Sequence, residues 1–148
     1  MRKVRTARLN GVKYGIDLDG NYAGLCSPPS DGMPEIHLTA AMENKRDCMV
    51  FLAHELLHGV DFKARHGVVY RTSEALGDDM WRKGWRWLPE RRHRLPREDR
   101  RNRREDLQWL RLIIGEVLVA CHWPKRSRDV VVRDIGLALW RVGYRRKL

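Results

Sequence analysis

Apolar residues recur along this chain with two different periods. Near the start they alternate: Val12, Tyr14, Ile16 and Leu18 are separated by Lys13, Gly15 and Asp17. A period of two places one face of a strand in a core and the other in water. Glu35-Ile36-His37-Leu38 repeats the pattern over a shorter run. Between them, Asp19-Gly20-Asn21 reads as a turn and Cys26-Ser27-Pro28-Pro29-Ser30-Asp31-Gly32 as a loop, so residues 1–40 read as β structure. The period then lengthens. Met49, Leu52, Ala53, Leu56, Leu57 and Val60 fall at helical spacing and predict a helix over 43–61, with Asn44 or Asp47 to cap its start and Gly59 near its end. Further helices are predicted over about 68–83, stopping near Gly84, over 105–122, and over 127–142, stopping at Gly143. From Leu88 to Arg104, Pro89 and Pro96 stand among charges, which reads as a linker or an exposed helix. The expected class is α+β: a small N-terminal sheet packed on the 43–61 helix, followed by further helices.

The second half echoes the first. Trp81-Arg82-Lys83-Gly84-Trp85-Arg86 recurs as Trp140-Arg141-Val142-Gly143-Tyr144-Arg145. Upstream, Gly115-Glu116-Val117-Leu118-Val119-Ala120 lies over His54-Glu55-Leu56-Leu57-His58-Gly59, and Phe62 over Trp123, with one short gap between the two matches. The reading is a partial tandem duplication whose second copy keeps the helices and lacks the histidines. It divides the chain into a unit over 1–87, a basic linker over 88–104 and a helical packing module over 105–148.

At 148 residues the chain holds one domain, or one domain with an appendage, and can bury a substantial core. No apolar run approaches the ~18 residues that span a bilayer. The basic start Met1-Arg2-Lys3-Val4-Arg5 is followed by polar residues and not by a hydrophobic signal segment. Cys26, Cys48 and Cys121 are odd in number and lack C-x-x-C spacing, so a disulfide framework is not expected and a reducing cytoplasm is the simplest home. A formal charge of +11 attracts polyanions, and arginine is densest between Arg82 and Arg104. Nucleic acid or an acidic protein is therefore a candidate partner for that segment. The plainer alternative is a salt-bridged helix face, because Glu90, Glu98, Asp99, Glu105 and Asp106 are interleaved with the arginines.

The chemistry is concentrated in His54-Glu55-Leu56-Leu57-His58, an H-E-x-x-H sequence inside the first predicted helix. Positions four apart share a helix face, so both imidazoles can reach one zinc ion while Glu55 is set back to act as general base on a metal-activated water. An ordinary core helix would leave three polar residues at this spacing without a reason. Catalytic zinc takes three protein ligands and keeps a fourth position open. A long metzincin pattern would need glycine at position 61 and histidine at 64, where Asp61 and Ala64 stand. Two third ligands remain. Glu74 on the next helix is preferred, with Asp78 one turn on to orient a ligand imidazole; His66 is the rival. Asp61, one turn past His58, is a further candidate to orient it, or it caps the helix end.

The Glu74/Asp78 layout resembles that of the glutamate-type zincins. His66-Gly67-Val68-Val69-Tyr70 resembles the H-G-x-x-F/Y element of SprT-like proteases, which supply a third histidine there and act near DNA. As a whole, the G-L-C-S-P-P loop, I-H-L strand, H-E-L-L-H helix and W-R-x-G-Y/W-R helix end resemble small zinc-peptidase-like proteins of bacteriophages and prophages. That resemblance implies a minimal zincin whose edge strand, here Glu35–Leu38, would take a peptide substrate as an added strand. It also implies zinc-dependent hydrolysis of a peptide bond in the host cytoplasm. The alternative is a basic nucleic-acid- or protein-binding module with a structural or vestigial metal site.

Overall fold

The computed structural model describes residues 5–20, 25–39, 45–87 and 96–146. The class is α+β. β1 (Arg5–Leu9) and β2 (Val12–Gly20) form a hairpin across Asn10-Gly11, whose φ angles of 49° and 79° suit the two-residue turn that Asn-Gly favours. β3 (Leu25–Cys26) and β4 (Glu35–Thr39) complete a sheet of order β1-β2-β4-β3, with β4 parallel to β2 and antiparallel to β3. Asn21, the last residue of the expected turn, lies outside the described residues. Glu35–Leu38 is therefore not the edge strand that the sequence suggested. Leu25 and Cys26 fold back against His37 and Ile36 and take the edge themselves. Inward-facing Ala7, Leu9, Tyr14, Ile16, Ile36 and Leu38 are all buried, as the alternation requires.

The sheet lies on α1 (Arg46–Val60), which packs against α2 (His66–Arg82). Gly59 does not end α1. It is buried one residue before the end, where a Cβ would stand 2.5 Å from Leu9 Cδ1, so its missing side chain lets the sheet sit close. Gly77 does the same between the helices. A Cβ there would lie 2.4 Å from Val50 Cγ2 and 3.0 Å from the Val50 backbone. Alanine gains about 1 kcal/mol over glycine in a helix interior, but forcing apart two packed helices costs about 1–3 kcal/mol. Gly77→Ala is expected to lower stability, read as a lower urea midpoint with an unchanged denaturant slope.

α2 ends at Arg82 with Lys83 as its C-cap, and Gly84, at φ 86°, turns the chain into β5 (Trp85–Trp87). The helix expected over 105–122 begins earlier: α3 spans Pro96–Ala120. Proline suits a first helical turn. Of the expected linker, 88–95 lies outside the described residues and 96–104 is helix. A short 3-10 helix (Lys125–Ser127) leads into α4 (Arg128–Val142), and Gly143 at φ 122° turns the chain into β6 (Tyr144–Arg146).

The two W-R-x-G elements have the same local structure. Arg86 donates to the carbonyls of Trp81 and Trp85 and lies 3.5 Å from the Trp81 ring centroid; Arg145 donates to those of Trp140 and Tyr144 and lies 3.8 Å from the Trp140 ring. β5 and β6 pair antiparallel with Arg86 opposite Arg145, which puts a local two-fold between matching residues. Reciprocally, α1 packs on α4 and α2 on α3. One continuous core runs through both halves. Asp134 ties the second half to the sheet: its buried carboxylate accepts the Asn10 backbone N–H at 2.7 Å, at the hairpin turn. Among the described residues, no helix is long and apolar enough to cross a membrane.

Candidate metal centre

α1 carries His54 and His58 on one face, one turn apart, and their Nε2 atoms stand 3.0 Å from each other. α1 stops at Val60, the chain turns through Asp61–Arg65, and α2 begins at His66. That tight reversal brings the His66 ring to 5.0 Å from His54 and, stacked, to 5.3 Å from His58, centroid to centroid. One nitrogen from each of the three imidazoles lies within 4.8 Å of the others. They are close enough to bind a metal ion. Two nitrogens bound to one tetrahedral zinc stand roughly 3.3 Å apart at ordinary bond lengths, close to the 3.0 Å seen between His54 and His58. The donor set fits the ion. Among the described residues, no other group of histidines, cysteines and carboxylates converges in this way.

Ser73, which the sequence reading did not single out, settles how His54 is turned. Its buried hydroxyl donates to the Tyr70 carbonyl at 2.9 Å, so it can only accept from His54 Nδ1, 3.4 Å away. His54 is then the Nδ1–H tautomer, with the Nε2 lone pair free for an ion. The available signal was spacing: Ser73 lies seven residues beyond His66, two helical turns along the same face of α2.

Glu74 and Asp78 do share a face of α2, as their spacing requires, and that face grips Arg46. The guanidinium donates to Glu74 Oε2 at 2.6 Å and to Asp78 Oδ1 at 3.1 Å, clamping the start of α1 to α2. Glu74 still lines the cleft beside His54, but its carboxylate is not part of the converging group. Asp61 is turned toward the second half, where its carboxylate accepts from Ser127 Oγ at 3.3 Å and lies 3.9 Å from Arg126. Arg82, at the start of the arginine-rich segment, pairs with Asp78 and Asp79. Cys26, Cys48 and Cys121 form no disulfide.

A cleft of about 410 Å³ opens onto His54 and His66, walled by Val50 and Phe51 from α1 and by Tyr70, Ser73 and Glu74 from α2. Glu55 lines it too, although only 8% exposed. Burial pushes the Glu55 carboxyl up to about 7, and burial together with the Glu55 charge pushes the neighbouring Cys26 thiol up to about 12. His54 and His58 shift the other way. Burial and the neighbouring imidazoles hold His54 down at about 4, and His58 is lowered for the same reasons.

A pH dependence follows for the metal-free protein. Between about 6.5 and 4 the unfolded chain binds protons that folded His54 and His58 refuse, so their contribution to stability falls as pH falls. Glu55 opposes this, because between 4.5 and about 7 its folded carboxyl holds more protons than the unfolded one. Glu55→Gln removes the opposition. In the presence of a chelator, that variant is expected to lose more stability than the wild type between pH 6.5 and 4.5, measured by urea denaturation. Parallel pH profiles for the two proteins would contradict this assignment.

No protein-family model matches this chain, and no curated protein or solved structure matches it.

Proposed function

We propose that this protein is a zinc-dependent peptidase of minimal zincin type, with zinc held by His54, His58 and His66. The observation that carries the reading is the convergence of three imidazoles beside one buried carboxylate of raised pKa, at the mouth of a cleft. His66 replaces Glu74 as the third ligand in this proposal, because Glu74 is committed to Arg46. A zinc ion bound there supplies Lewis acidity toward water and toward the scissile carbonyl.

The chain's own residues do the rest. His54 presents Nε2 because Ser73 holds its other nitrogen. Glu55, buried at the edge of the cleft that His54 also lines, takes a proton from the attacking water and delivers it to the departing amine. Tyr70, an exposed wall of the cleft with its ring 6.4 Å from His54, offers a hydroxyl to the developing oxyanion. The second helical unit reads as a copy of the first that kept the packing and carries Gly115 and Val119 where the first has His54 and His58.

Elemental analysis of chain purified without a histidine tag tests the metal half of the proposal. About one zinc per chain is expected, as for a single three-ligand site. A chain that takes up none at neutral pH, even with zinc in excess, has no such centre.

A further inference from the structure

Beside the metal centre, the two halves of the molecule together build one basic rim. The first half contributes Lys63 and Arg65 from the turn between α1 and α2, with Arg65 directly before His66. The second contributes Lys125 and Arg126 from the 3-10 helix. That helix is held against the turn by Ser127 Oγ and Arg126, both on Asp61, three residues past His58. Arg71 joins the halves again by donating to the Cys121 carbonyl. All five cations are exposed. Among the described residues, Lys63, Arg65 and Lys125 make no ion pair, and Asp61, the acid beside Arg126, is only 12% exposed. On the Glu74 side of the site positive charge is internally matched: Arg46, Arg82 and Lys83 pair with Asp47, Glu74, Asp78 and Asp79. The unmatched charge therefore lies on the His66 side of the site, and the matched charge on the Glu74 side.

From this asymmetry we infer that the rim binds an acidic peptide segment lying to one side of the scissile bond, so that the preferred substrate is a protein with a run of Asp or Glu next to the cleaved position. The inference rests on the peptidase reading for what is cleaved, but the rim's preference for acidic peptide is measurable without cleavage. It gives the second unit a task that needs no metal: it completes the binding surface for the first. Exposed pairs contribute modestly one by one, and several acting on the same segment add up.

The test is fluorescence anisotropy on full-length protein carrying Glu55→Gln, so that nothing is turned over. Three labelled probes of equal length are compared: a glutamate-rich peptide, its glutamine counterpart and an oligothymidine. The glutamate peptide is expected to bind, and to weaken as salt is raised. Lys63→Gln/Arg65→Gln/Lys125→Gln should weaken it about tenfold or more. A control with the same charge change on α3 and α4, Arg104→Gln/Arg111→Gln/Arg133→Gln, should stay within about threefold of the parent. Equal binding of the glutamine peptide, or indifference to the rim substitutions, overturns the proposal. Tighter binding of oligothymidine through the same three residues overturns it in favour of a nucleic acid. None of these readings depends on zinc content or hydrolysis, so failure here is distinct from failure of the peptidase reading.

Discussion

Glu55→Gln should keep its zinc and lose its hydrolysis. The substitution preserves size and hydrogen bonding and removes only the group that accepts a proton. A well-placed general base contributes roughly 10²–10⁴-fold, and the loss is expected in kcat with KM little changed, because the carboxyl acts on the reacting atoms. Metal content should not move, since Glu55 is no member of the converging trio. Burial favours the neutral side chain here, so the variant should fold at least as well at pH 7 as the wild type. The paired comparison is His58→Ala, which removes a ligand and should abolish metal binding and hydrolysis together. A Glu55→Gln variant that cleaves as fast as the wild type would remove the carboxylate from the mechanism altogether.

Zinc affinity should separate His66 from Glu74 by orders of magnitude. His66→Ala takes one nitrogen from a three-nitrogen site, and its cost should exceed the roughly 10–100-fold typical of losing an outer partner. Glu74→Gln should leave affinity within a few-fold, because that carboxylate is engaged by Arg46 and not by the histidines. What Glu74→Gln loses is clamp strength between α1 and α2, a solvent-screened ion pair of modest worth. Competition titrations against a zinc chelator at fixed pH measure both. The reverse ranking, with Glu74→Gln crippling affinity and His66→Ala sparing it, would restore the glutamate-type arrangement.

Certain features were legible in the sequence because they are local. Period two predicted the strand through Val12, Tyr14, Ile16 and Leu18, and period 3.6 predicted the helix that carries His54 and His58. Spacing of four fixed that those two imidazoles share a face, whatever the rest of the chain does. Gly84 and Gly143, placed after matching helices, announced two helix ends, and both take the positive φ that suits glycine. The same local logic made Glu74 and Asp78 neighbours.

Partners across the fold were not legible, because they depend on how elements are laid against one another. Spacing put Glu74 and Asp78 on one face but could not say that Arg46 would arrive there. Nor could it reveal how sharply the chain reverses between Val60 and His66, and that reversal makes a histidine only eight positions past His58 a neighbour of both others. Gly59 was expected near the end of α1 and stands there; only the approach of Leu9 shows it as a point of close contact. Glu35–Leu38 looked like an edge because two residues, Leu25 and Cys26, are too short a strand to announce themselves. The sequence alone determined the presence of a two-histidine, one-carboxylate helix in an α+β chain of high positive charge. Tertiary structure alone decided the third imidazole, the tautomer set by Ser73, and the contact of Asp61 with Arg126 and Ser127 that brings the second half against the α1–α2 turn, because each joins side chains that belong to different elements.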